Sequence, residues 1–529
     1  MKLKTSILFF VALFVAQFAS AQQWQFVGPR AMGMGGAGVA TAYGPDAQYW
    51  NPAGLVQEED KNETGLLINA GVTLETTGKV LGSVDKLADM ADRYKNLSNN
   101  ISGNSAATAE NISTIFEGLN EISKLLGDNM GVLVNADAGL GFKFKNFAIS
   151  SRAIGTGAVR PVLDTQNIKF NTAGSGLNIG TNVTDPSVGD PSLTAAVSSL
   201  TQVITDYNLL SVIQNFLGNT TAANAGELAS QLINVAIAQG ASVAQINEMV
   251  GVVVENAGGA AEMLHQYTAS TGTYDQNETL AMGDVAAFGE VALGYGTQVI
   301  KGLKVGGNVK VISGYTAETG VMLLSDNDDF KDILDKAFDN KKNTNTWAVD
   351  LGALVNFSEM LGKDIWWNPQ VGVTARNING PKFDRPDMPA SFIGTPIANP
   401  GNWKTDKYQL KPQIRAGVSV NPKNWMTLAV DIDVTENDTL LDGIKSRQLA
   451  VGMEINLVNG RKFNMPLRLG YNKNLAETSL CPFYTAGIGF NMLHFFVELA
   501  GAVSTKTSKV DGNTIPNSAA ASLTLGFLF

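Results

Sequence analysis

Cysteine is nearly missing from this chain: Cys481 is the single one among 529 residues, and only two histidines, His265 and His494, accompany it. One thiol precludes an intramolecular disulfide framework, and these three residues make no metal cluster at any recognised ligand spacing. Charge is also scarce, at 16% Asp, Glu, Lys and Arg against roughly 25% in an average globular domain. The net charge of −10, with no basic block, excludes a nucleic-acid binder and a polybasic membrane-surface protein. Beyond the first two dozen positions no run of about 20 apolar residues occurs, so spanning helices are excluded. Glycine, by contrast, is abundant at 55 residues, and 44% of the chain is hydrophobic.

Lys2 and Lys4 precede an apolar run from Ile7 to Phe18, followed by Ala19-Ser20-Ala21. A basic start, a short apolar region and a small-residue cleavage site predict a signal peptide over 1–21, leaving Gln22 as the mature terminus. No Cys follows that would carry a lipid anchor.

The remaining hydrophobicity has a period of two. Met426, Leu428, Val430, Ile432 and Val434 share one face; Thr427, Ala429, Asp431, Asp433 and Thr435 share the other. Ile414 to Val420, Leu449 to Leu457 and Val132 to Phe142 repeat the pattern, with Gly and isolated charges on the polar face. Such alternation predicts strands with one apolar and one wet face. Fourteen segments qualify, from 64–75 through 130–144, 146–157, 283–297 and 303–317 to 519–529. Most reach the roughly 9–11 residues that a tilted strand needs to cross a bilayer. Short connectors alternate with long ones, as barrels require. The reading is an all-β transmembrane barrel of about 14 antiparallel strands over 63–529, with lipid replacing a conventional core. A soluble β-sandwich is the alternative.

Two long connectors carry helical spacing instead. Val80, Val84, Leu87, Ala91, Tyr94 and Leu97, then Ile112, Ile115, Leu119, Ile122 and Leu126, predict a helical hairpin over about 79–126. Leu200, Val203, Tyr207 and Leu210, with later apolar repeats to Val253, predict helices within about 191–268. A third helix is expected from Asp328 to Asn340. Together they form an extracellular cap, packed on itself or gathering apolar ligands.

Ahead of the strands, 22–62 reads as a plug, or hatch, inside the barrel. It contains Arg30-Ala31-Met32-Gly33-Met34-Gly35-Gly36-Ala37-Gly38 and Asn51-Pro52-Ala53. Gly33, Gly35 and Gly38 satisfy a dinucleotide fingerprint, but the βαβ context which that motif needs is missing. Small residues suit a chain threading closely past barrel walls, and Asn-Pro suits a fixed turn. Gly33, Gly35, Gly36, Gly38, Asn51, Pro52 and Ala53 are therefore the candidate hatch and gating residues. Asp350, Arg376, Arg415, Asp431, Asp433, Glu454, Arg468 and Glu498 are expected to face the lumen, pairing around the hatch or lining a polar passage. His494 is expected to face inward on a strand and His265 to lie in the cap. Neither supports a catalytic triad, and Asp326 to Asp329 and Asp431/Asp433 are too sparse for a calcium loop. No catalytic residue, metal or cofactor is expected. Trp366, Trp367 and Tyr484 suit an interfacial aromatic belt.

The final alternating residues, Leu523, Leu525, Phe527 and Phe529, end the chain on an aromatic. Ser522, Phe527 and Phe529 resemble the assembly signal of bacterial outer-membrane barrels, with Thr524 where that signal has Gly. The "RAMGMGGAGVA…YWNPAGL" start and the fourteen-strand count are similar to the long-chain fatty-acid transporter superfamily. "VGVTARNINGPKFD" (371–384), "YQLKPQIRAGVSV" (408–420), "MTLAVDIDVTEND" (426–438) and "LRLGYNKNLAET" (467–478) resemble its conjugal transfer TraF-like branch more closely. The resemblance implies an outer-membrane location, a hatch containing Asn51-Pro52-Ala53, and passive uptake of hydrophobic or small organic molecules. It also implies contact with outer-membrane lipid and with barrel-assembly machinery through Phe529. A structural part in a conjugation or secretion assembly is the alternative. Disulfide chemistry is not implied, since a redox Cys pair is missing.

Overall fold

The computed structural model describes residues 23–57, 64–77, 80–83, 108–125, 130–168, 179–217, 220–272, 277–322, 340–389, 403–404, 406–441, 443–460, 462–478, 480–510 and 513–528. The signal-peptide reading, residues 84–107 of the first helical hairpin, most of the third helix and Phe529 lie outside them.

Fourteen strands close into one antiparallel barrel. They are β1 Thr64–Thr77, β2 Gly131–Phe144, β3 Phe147–Val162, β4 Leu280–Ile300, β5 Leu303–Met322, β6 Lys342–Asn356 and β7 Gln370–Arg376. There follow β8 Gln413–Lys423, β9 Met426–Asp433, β10 Gln448–Asn459, β11 Phe463–Asn474, β12 Phe483–Met492, β13 Phe495–Ser504 and β14 Ser518–Leu528. Neighbours in sequence are neighbours in space, and β14 closes on β1, with Leu528 opposite Gly65 and Ser518 opposite Glu75. Every predicted segment is one of these strands.

Alternation decides which way each side chain points. Ile68, Leu140, Leu293, Val311, Leu469 and Leu525 stand exposed on the outer surface, whereas Asn69, Asp137, Asp431, Arg468 and Thr524 are buried inside. Polar residues inside and apolar ones outside suit a barrel whose outer face meets lipid. Aromatic and long apolar side chains, among them Phe144, Phe147, Tyr295, Trp425 and Phe495, gather where the connectors are short. There Trp366 and Trp367 stack with centroids 4.1 Å apart. Most connectors at that end are two or three residues; 357–369 is longer and holds a short helix. The Asn421-Pro422-Lys423-Asn424 turn proves tighter than expected: β8 runs on to Lys423, and the ladder slips between Val420 and Lys423, around a proline that has no N–H to donate.

The wall is uneven. β4 and β5 have 21 and 20 residues, β7 and β9 only 7 and 8. At the long-connector end the low side is filled by loops that fold inward. Phe383, Tyr408, Leu410, Leu440, Leu441 and Ile444 from two loops pack on Phe288, Ile312 and Ala348 of the tall wall, forming a dry stopper. Phe288 and Phe383 meet with centroids 4.4 Å apart. A polar latch backs it: Asp284 and Glu318 face each other across β4 and β5, and loop residues Arg385 and Lys404 reach both or one of them.

Beyond that mouth lies a helical unit with its own core. Ala109–Ser123 from the first long connector packs with Thr194–Asp206, Leu210–Leu217, Ala225–Ala238 and Val243–Ala269 from the second. Ile112, Leu200, Leu228, Ile233, Val253 and Leu264 are buried together. Ser242 and Gln245 form a reciprocal capping box at the start of the longest helix. Tyr207 leaves the predicted seam. The helix ends at Asp206, Asn208 takes a φ of 52°, and Leu209 fills the buried place instead. His494 corrects another expectation: it sits exposed in the β12–β13 turn, its Nδ1 2.8 Å from the Leu528 carbonyl, because the strand ends at Met492. His265 lies exposed on the last helix, 3.2 Å from the Tyr207 carbonyl.

Candidate functional site: the hatch and its seat

Residues 23–57 run inside the barrel and touch all fourteen strands. The segment starts beside β1 near the stopper, where the Gln23 amide donates to Glu75. It then circles the wall. Helix Pro29–Gly33 lies along β11 to β14, Met34 to Gly36 on β10 to β12, Gly38 to Ala40 on β7 to β9, and Asn51 to Val56 on β4 to β6. Gln25 and Gln48 complete the ring at β2 to β5.

Close passage is possible because glycines take several of the wall positions at that level. Gly296, Gly306 and Gly352 are opposite one another on β4, β5 and β6, as are Gly372 with Gly417 and Gly452 with Gly470. A Cβ on Gly372 would come within 2.8 Å of the Val39 carbonyl oxygen, and one on Gly352 within 2.9 Å of the Pro52 ring. The hatch glycines answer from the other side. Gly33 lies against Gly487, Gly35 needs its φ of 68° to pass Tyr471, Gly36 turns with a φ of 93°, and Gly38 leaves room for the Trp50 ring.

Asn51 ties this belt together. Its Nδ2 donates to the carbonyls of Val39 and Ala353, both at 3.1 Å, while its Oδ1 accepts from the Ala53 N–H. That last bond caps the short 3₁₀ turn which Pro52 begins, and Ala53 is fully buried beneath it. Two hatch backbone groups and one wall backbone group thus meet on one amide side chain.

The lumen-facing charges all lie buried around the hatch. Arg30 grips Glu454 with two bonds of 3.1 and 3.2 Å; Arg468 bridges Glu454 at 2.6 Å to Glu498 at 2.7 Å. Asp431 accepts from the Gly38 and Val39 N–H groups, each at 2.8 Å. Arg415 pairs with Asp433 at 3.2 Å, and Lys310 with Asp350 at 3.2 Å. Arg376 instead lies 4.0 Å over Tyr49 and 5.1 Å over Trp24. The ring centre is an aromatic hub of Trp24, Tyr49 and Trp50, with Arg415 also over Trp24 at 5.2 Å. Burying charges is tolerable only when they are paired, and each pair here also fixes the hatch or its seat.

Sequence reasoning missed the wall glycines, the aromatic hub, and Arg30 with Arg152, which reaches Asp46 at 3.4 Å. Glycines on the polar face of successive strands carried the signal, but only register reveals that they form one belt. Beneath the hatch, towards the short-connector end, a cavity of about 70 Å³ is bounded by Arg30, Tyr43, Asp46, Phe496 and Glu498. It has room for a few waters. Among the described residues no group of three His, Cys, Asp or Glu is placed to hold a metal.

A family model described as "F plasmid transfer operon, TraF, protein" matches residues 48–433. No curated protein matches the sequence. Among solved structures, the chain is similar to the Ralstonia pickettii toluene transporter TbuX, at 9% identity and a TM-score of 0.39 over 95% of this chain and 98% of that one. It is also similar to the P. putida toluene transporter TodX (8%, TM-score 0.39, 96% and 99% covered) and to a Pseudomonas aeruginosa FadL homologue (10%, TM-score 0.38, 96% and 99% covered).

Proposed function

The chain belongs to the F plasmid transfer operon TraF protein family, and from that premise we propose an outer-membrane barrel that takes up small hydrophobic or organic molecules passively, gated by its hatch. The carrying observation is that the plug is a separate segment seated by hydrogen bonds, ion pairs and an arginine-flanked aromatic hub on a wall lined in part by glycine. Where glycine faces it the wall has no side chain to interlock, so breaking the polar and ring contacts would let the segment shift as a unit. Lipid would hold the apolar exterior, the helical unit and stopper would face outwards, and the 70 Å³ cavity would lie on the periplasmic side. No bond is made or broken on the cargo. No nucleic-acid partner is expected of a chain of net charge −10, and the terminal Phe529 would serve assembly.

The gating residues would be Asn51, Pro52 and Ala53, with Gly33, Gly35, Gly36 and Gly38 as the sliding surface. Uptake of a radiolabelled apolar solute into proteoliposomes tests this reading. An Asn51→Ala chain is expected to change the rate several-fold in either direction, and an unchanged rate would sink it.

A second reading, a structural component of a conjugation or secretion assembly, is favoured by one observation: the lumen is stopped twice, by the hatch and by the dry loop cluster. Copurification with periplasmic or inner-membrane components, together with zero solute flux, would select it.

A further inference from the structure

The rim at the short-connector end repeats one pairing of side chains. Five of its six strand-to-strand connections carry an exposed lysine: Lys145 between β2 and β3, Lys301 between β4 and β5, Lys363 between β6 and β7, Lys423 at the end of β8 and Lys462 ahead of β11. The sixth, between β12 and β13, has His494 in that place. Each lysine has an exposed apolar neighbour in its own connection. Phe144 and Phe147 flank Lys145, Ile300 precedes Lys301, Trp366 follows Lys363, Trp425 follows Lys423 and Phe463 follows Lys462. Trp366 is the most open of these, at 77%.

These ammonium groups lack acidic partners. Among the described residues none of the five forms an ion pair with a carboxylate. Glu359, in the same connection as Lys363, is taken by Lys304 of the wall at 3.5 Å, and Asp364 is the other acid of the six connections. Residues 58–63, the acidic link between hatch and first strand, lie outside the described residues and make one connection, not five. Successive connections are two strands apart along the rim, about 10 Å or more. That exceeds the screening length of about 8 Å at physiological salt, so each lysine acts on what borders its own turn.

An aromatic or aliphatic side chain with an ammonium group beside it matches the polar border of a lipid leaflet. An ammonium without a carboxylate attracts a headgroup phosphate most strongly where no choline offsets that phosphate. A protein partner would cover one sector of the rim, whereas a leaflet borders all of it, and the five lysines run from β2 round to β11. We infer that the lysine ring selects phospholipids of net negative charge, one headgroup phosphate to a turn, an inference that rests on the membrane-embedded barrel of the proposed function but not on its moving hatch. The chain has no basic block, and the ring exists only once the turns are assembled.

The intact chain is reconstituted in phosphatidylcholine bilayers containing a trace of spin-labelled phosphatidylglycerol or, in parallel, spin-labelled phosphatidylcholine. Electron spin resonance then measures the lipid whose motion the barrel surface restricts. Phosphatidylglycerol is expected to associate about threefold or more tightly than phosphatidylcholine. The excess should vanish in about 1 M salt, where the screening length falls to about 3 Å. Replacing Lys145, Lys301, Lys363, Lys423 and Lys462 together by Gln is expected to abolish the preference, and replacing them by Arg to keep it. Lys341→Gln with Lys382→Gln, which removes two exposed lysines at the long-connector end, is expected to leave it unchanged. Heat-modifiable electrophoretic migration verifies that each variant is a closed barrel. Equal restriction of the two lipids by the intact chain, or a preference that survives in about 1 M salt or in the glutamine variant, would overturn the inference and leave the barrel standing. Equal restriction together with a periplasmic protein that the glutamine variant no longer copurifies would assign the lysines to an acidic protein instead. No restricted lipid of either kind would overturn the membrane-embedded barrel as well.

Discussion

Asn51 accepts one and donates two hydrogen bonds in a site closed to solvent. At about 1 kcal/mol per lost bond, Asn51→Ala should cost about 3 kcal/mol, all of it in hatch seating. Limited proteolysis should then cut within 23–57 while the strands stay protected. Gly352→Ala is expected to give the same pattern, because its methyl group would collide with Asn51 and Pro52. Combining the two should add little, since both break one seat. Arg468 behaves differently. Arg468→Ala leaves Glu454 and Glu498 buried near each other without their shared cation, a loss of about 3–5 kcal/mol, whereas Arg468→Met with Glu498→Gln should recover part of it. Chemical denaturation of the three chains reads the difference. Cys481 supplies a reporter: it is buried, and burial pushes its thiol above the ordinary value, so alkylation should stay slow until the barrel unfolds. A Cys481 modified as fast as a free thiol would contradict the packing described.

Among the elements, strands were legible because alternation is a local property of ten residues. Val430 outward and Asp431 inward follow from the period alone. The helices over 194–269 were legible for the same reason at a different period. The stopper was not: Phe383 and Tyr408 sit in two-residue strands inside long loops, too short to have a period, and their partner Phe288 lies on the wall. The aromatic hub was hidden likewise, since Trp24 and Trp50 meet across 26 positions only when the hatch curls. Tyr207 and His494 misled because the turn geometry of Asn208 and of the β12–β13 connection overrides spacing. The helical unit has a core separate from the barrel's, so it should melt separately. Leu228→Ala is expected to lower the first of two calorimetric transitions, costing about 2–5 kcal/mol, and to leave the second unmoved. A single transition shifted as a whole would show that the two units unfold together.

For the whole molecule, barrel closure and strand number could be read from the sequence, whereas what fills the barrel could not. A fourteen-stranded cylinder is wide enough to conduct, and the glycine-rich inner face gave no sign of how tightly the hatch would occupy it. Planar-bilayer recordings of the intact chain should show almost no ion current, and Gly352→Ala should raise it by widening the path beside Asn51. Equal, large currents from both would mean that the hatch does not obstruct the lumen.

The ring path of residues 23–57 also bears on assembly. Those residues precede every strand in the chain, yet they rest on all fourteen, and the seam that shuts the cylinder joins the first strand to the last. The segment finds its full set of contacts only when the last strand is in place, so its seating and the shutting of the cylinder stabilise one another.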